Sequence, residues 1–111
     1  MLNEIKKNIC IITDINGIYG YGHFTRMNLI ADRLSDIYNF TFSPVNNDSE
    51  LYKRTDIKTI EFNKIAEIKP YIIIVDSREV EEKYISYLKK ISSVIIVDSV
   101  GSERRLADIV I

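Results

Sequence analysis

The stretch from Gly17 to His23, GIYGYGH, holds three of the chain's four glycines and its single histidine. An imidazole titrates close to neutral pH, so His23 is the side chain best suited to take a proton from a hydroxyl or a water. Glycine removes the Cβ that keeps a ligand away from the backbone, so Gly20 and Gly22 let peptide N–H groups approach an anion or a sugar. In the first turn of a helix the imidazole would feel the positive end of the macrodipole, which keeps the ring neutral and suits a general base. Two blander roles compete: the glycines as a tight strand-to-helix turn, and His23 as a helix-terminal side chain with an incidental hydrogen bond. Arg26, one turn later, can bind a carboxylate or phosphate bidentately, or form an exposed ion pair with Asp32 or another acid.

Three aspartates join this set. Asp14 follows the first apolar run, and Asp76 and Asp98 end two others. Residues at the carboxyl ends of different strands can meet in one crevice although they are distant in sequence. Each aspartate can instead cap the helix or turn that follows, and for Asp76, just before a glutamate-rich first turn, capping is the preferred assignment.

Other chemistries find no support. A dinucleotide fingerprint needs a third glycine at position 25, which is threonine, and no Gly-Lys-Ser/Thr phosphate loop occurs. Cys10 is the only cysteine, so it forms no intrachain disulfide and joins no metal-ligand cluster; no metal and no cofactor are expected. A receiver domain also carries aspartates at strand ends, but its acidic pair after the first strand and its late lysine are missing from their places.

These residues need a scaffold, and the apolar pattern describes one. The runs 8–13, 71–76 and 93–98 are short, β-branched and almost wholly apolar, as in strands of a parallel sheet covered on both faces. Between them, Phe24, Met27, Ile30, Ala31 and Leu34 recur at helical spacing, and so do Val80, Tyr84, Tyr87, Leu88 and Ile91. Glu79, Glu81 and Glu82 at the start and Lys89 and Lys90 at the end favour a helix over about 79–91. Weaker signals suggest strands at 39–43, 57–62 and 106–111, a short helix at 49–54 and another at 63–68, stopped by Pro70. Strands alternating with helices predict an α/β fold, a three-layer doubly wound parallel sheet of the Rossmann-like kind.

At 111 residues the chain is one domain, 1–111. Fifteen basic residues against sixteen acidic ones give a net charge of −1, so no basic field draws nucleic acid. The apolar run after Lys6 and Lys7 is too short for a signal peptide or a membrane span, which makes a cytoplasmic location the expectation. The apolar close at LADIVI suggests that further chain belongs after it.

The motif Gly20-Tyr21-Gly22-His23-x-x-Arg26, followed by Leu29-Ile30-Ala31-Asp32-Arg33-Leu34, resembles the N-terminal domain of the pseudaminic acid pathway UDP-sugar hydrolases and of the related spore-coat polysaccharide glycosyltransferases. The likeness extends to Asp14 before the loop and to the strands ending in Asp76 and Asp98. It implies the N-terminal half of a glycosyltransferase-B fold, with His23 activating water against the anomeric carbon of a UDP-sugar and Gly20, Tyr21 and Gly22 lining the sugar site. It also implies a C-terminal domain that holds most of the nucleotide, without which this half would be inactive. Ser99 stands where that family often has a second aspartate. The alternative is a non-catalytic α/β module that binds a ligand or a protein.

Overall fold

The computed structural model describes residues 5–13, 17–44, 58–76, 81–97 and 105–111, with residues 17–23 and 44 as backbone alone. In chain order the elements are β1 (Lys7–Thr13), α1 (Gly17–Arg33), β2 (Tyr38–Pro44), β3 (Lys58–Thr59), a 3-10 helix (Phe62–Ile68), β4 (Ile72–Asp76), α2 (Glu82–Lys89), β5 (Ser93–Val97) and β6 (Ile109–Val110). All the strand pairs are parallel, in the order β3-β2-β1-β4-β5-β6. That order, with helices on both faces, is the doubly wound Rossmann-like arrangement that the alternating pattern predicts.

Successive residues of a strand point to opposite faces, and β1 divides accordingly. Ile9 and Ile11 pack with Phe24, Met27 and Ala31 of α1 and with Phe42 of β2. Cys10 and Ile12 pack on the other side with Ile65, Ile73, Val75, Ile85, Leu88, Val94 and Ile96. This explains why 8–13 reads as an unbroken apolar run: both of its faces are covered. Phe24 and Phe42 join α1 to β2 with ring centroids 5.4 Å apart. Burial pushes the Cys10 thiol up to about 12, which makes it a small core side chain rather than a nucleophile.

Several boundaries depart from the expected ones. α2 is shorter than 79–91, with Glu81 as its N-cap residue, and its buried contacts come from Ile85 and Leu88 while Tyr84 and Tyr87 pack at the margin. Leu34 lies beyond the end of α1 and is 36% exposed. The segment 57–62 contributes only Lys58 and Thr59 to the sheet, because the chain turns at once into the 3-10 helix. That helix buries Ile65 and ends at Lys69, whose φ of 49° is left-handed. The short helix expected at 49–54 lies outside the described residues.

At the far edge a polar clamp secures the final strand. Asp108 accepts hydrogen bonds from the Val94 amide at 2.7 Å and from the Lys89 ammonium, while its own amide donates to the Val94 carbonyl at 2.9 Å. The Lys89 and Val94 bonds hold the Asp108 carboxyl below the ordinary aspartate range.

Candidate functional site

A doubly wound sheet binds ligands beyond the carboxyl ends of its strands, at the point where successive crossovers leave to opposite faces. Here that point lies between β1 and β4. The β1 crossover carries α1 over one face, whereas α2, which follows β4, packs on the other. In the sheet register Thr13 stands opposite Asp76, and Asp76 opposite Val97, so these three form one row at the carboxyl end of the sheet, where a switch-point crevice would open.

Asp76 ends the strand Ile72–Asp76 and shares a face with Ile74, which packs in the α1 cluster. Arg26 sits on α1 between Phe24 and Met27, both of them buried. The two side chains meet in a bidentate ion pair. Arg26 Nε donates to Asp76 Oδ2 at 2.9 Å, and Arg26 Nη2 donates to Oδ1 at 2.6 Å. The carboxylate is fully buried while the guanidinium side is 42% exposed. Burying a charge is costly unless a partner and hydrogen bonds compensate for it, and the planar fork of arginine does both.

This geometry bears on two assignments made from the sequence. Of the acids left open for Arg26, Asp32 or another, the structure pairs it with Asp76, fifty residues away, in a half-buried rather than an exposed ion pair. Asp76 does not cap α2, whose N-cap is Glu81, without a side-chain cap hydrogen bond; a turn directly after Asp76 lies outside the described residues.

The glycine motif also differs from a strand-to-helix turn that would leave His23 in the first turn of the helix. α1 begins at Gly17, so Gly17, Gly20 and Gly22 lie within helical backbone. Glycine costs a helix only about 1 kcal/mol relative to alanine, and a helix anchored by packing of its later turns can extend back across it. His23 is therefore the seventh residue of α1, in the second turn rather than the first. The dipole field that would keep its ring neutral fades within the first turn. Arg26 follows one turn later on the same helix. The side chains of Tyr21 and His23 lie outside the described residues, as do Asp14 and Asp98.

Sequence patterns alone did not single out Thr13. Its side chain is fully buried, and among the described residues it belongs to a small set of buried polar ones, Thr13, Thr41, Ser43 and Asp76. Three of those four fall at or next to the carboxyl ends of strands. The signal available beforehand was the position of a hydroxyl residue at the polar end of an otherwise apolar run. Ser43 belongs to the opposite face from Arg26, since it pairs with Ile12 while Phe42 faces α1.

Among the described residues no group of three His, Cys, Asp or Glu side chains is placed to hold a metal ion. No helix among them is long and apolar enough to cross a membrane. A groove of about 660 Å³, lined in part by Asn8, Asp32, Asn39 and Glu67, opens at the amino end of the sheet, away from the Arg26–Asp76 pair.

No protein-family model matches the chain, and no curated protein matches it in sequence.

Proposed function

We propose that the chain forms the sugar-handling half of a cytoplasmic nucleotide-sugar hydrolase or glycosyltransferase, acting on a UDP-type sugar in surface polysaccharide synthesis. The observation that carries the location of the site is the ion pair between Arg26 and the fully buried Asp76 at the switch point of the sheet. The class of substrate comes from the likeness of the Gly20-Tyr21-Gly22-His23-x-x-Arg26 motif to the nucleotide-sugar enzymes. In this reading His23 accepts a proton from water, or from an acceptor hydroxyl, as that oxygen bonds to the anomeric carbon. The bond from that carbon to the phosphate oxygen breaks, and UDP leaves with the electron pair. A second α/β half, following this one, would hold the nucleotide.

The second-turn position of His23 favours one rival. With the helix field no longer an argument for His23 as the base, the crevice can equally serve as a ligand-binding site on a non-catalytic module.

The test is release of UDP from UDP-N-acetyl sugars by the full-length protein and its His23→Ala variant, with circular dichroism as a control for folding. Loss of at least about a hundredfold in turnover with unchanged folding supports the base. Undiminished turnover in the variant refutes it, and saturable binding without turnover in the unaltered protein supports the module.

A further inference from the structure

The strand Ile72–Asp76 is apolar until its last residue, and that residue is a carboxylate with no solvent exposure. Stability alone does not call for it. A buried ion pair is commonly no more stable than apolar side chains of the same volume, because desolvation offsets the attraction. A charge retained at such a position points to what the pair does for something else.

We propose that Arg26 and Asp76 act as one unit, in which Asp76 is a positioning residue that fixes the Arg26 guanidinium to receive an oxyanion of the bound ligand. This rests on the assignment of the β1/β4 crevice as the ligand site. The bond pattern defines the mechanism: Nε and Nη2 are both held, so the plane of the guanidinium is set before any ligand arrives. Solvent still reaches the side chain, which is 42% exposed, so an incoming anion can reach it too. A guanidinium held in this way loses little rotamer freedom on binding, and the N–H groups of its Nη1 edge, which the pair with Asp76 does not engage, are fixed in the same plane and give direction to the recognition of an oxyanion. The pair is neutral overall, so recognition depends on the direction of these donors more than on net charge. Lysine, a point charge on a flexible stem, would not substitute.

The experiment titrates the isotopically labelled chain with sodium pyrophosphate, sodium glucuronate and neutral N-acetylglucosamine. The amide resonances of Thr13 and Asp76 are followed in the unaltered protein and in Arg26→Lys, Arg26→Gln and Asp76→Asn. The expected result is saturable binding of at least one anion. Pyrophosphate would identify a phosphate as the recognised group, and glucuronate a sugar carboxylate. All three variants should weaken that binding at least tenfold. Asp76→Asn or Arg26→Lys binding the anion as the unaltered protein does would overturn the positioning role, and the lysine variant decides the matter even if the asparagine variant fails to fold. Anions without effect while N-acetylglucosamine shifts the same amides would sink this inference alone. Silence from all three compounds would sink the crevice assignment with it.

Discussion

The Arg26–Asp76 pair is unequally buried, and this makes its two halves unequal in energy. Replacing Arg26 by methionine leaves a carboxylate with no solvent exposure and without its bidentate partner. Breaking a fully buried pair in this manner costs about 3–5 kcal/mol. Arg26 is 42% exposed, so water already screens part of the interaction, and Asp76 has interactions beyond Arg26, which together bring the expected cost to about 2 kcal/mol. Replacing Asp76 by leucine, a side chain of nearly the same shape, instead leaves a guanidinium that water can hydrate. That change also removes the carboxylate's other interactions, so it should cost about 1–1.5 kcal/mol, still less than the arginine variant. The double variant restores a neutral, filled site and should fall within about 1 kcal/mol of the unaltered protein.

The assay is urea denaturation of the four proteins at pH 7, followed by circular dichroism, with thermal melts alongside. For a domain of this size the arginine variant should melt roughly 10 °C lower. The coupling energy should come out near 2 kcal/mol. Arg26→Met within about 0.5 kcal/mol of the unaltered protein, or a coupling energy near zero, would refute the argument from burial. A double variant that is as stable as the unaltered protein yet fails to bind any anion would show that the pair is kept for recognition.

Two further outcomes test the remainder of the structure. Ser43 buries its hydroxyl completely and its Oγ has no hydrogen-bond partner among the described residues, so Ser43→Ala should stabilise the protein by about 1 kcal/mol in urea denaturation, and a loss of stability would show that the hydroxyl is satisfied. Asp108 titrates below its ordinary 3.8 in the folded protein, so its contribution is present above that value and is lost as pH falls through the lower, folded-state value. The melting temperature of Asp108→Asn should therefore lie below that of the unaltered protein near neutral pH, with the gap closing below pH 3.8; a gap that stays constant into acid would remove the Lys89–Asp108 clamp from the account.

How much of this could be read from residues in order depends on whether the deciding contact was local. β1, β4 and β5 were legible because each is enclosed on both faces, and a strand so enclosed must be apolar throughout. β3 and β6 have two residues each at the edges of the sheet, where little burial marks them. The start of α1 was misplaced because glycine is a weak signal in both directions: it suits a loop, yet it costs a packed helix little. The short helix over 62–68 carries a helical spacing that does not distinguish the tighter 3-10 turn from an α-helix.

The site was legible as a set of residues but not as a geometry. Arg26 and Asp76 could both be named from the chain, but their pairing needs two facts that no local pattern holds: that β4 lies beside β1, and that Asp76 falls on the α1 side of the sheet. The second follows from the first. Once Ile9 is set opposite Ile72, alternation carries the count along both strands until Thr13 faces Asp76, on the side that α1 covers. The same count separates the hydroxyls. Thr13 pairs with Pro44, so Ser43 stands one residue earlier and on the opposite face. A shift of one residue in register would exchange the faces, bringing Ser43 toward Arg26 and turning Asp76 into the α2 core. The chemistry available at this crevice is thus fixed by the strand register, and within the sequence that register is set by which of the isoleucines along β1, β4 and β5 must lie under which helix.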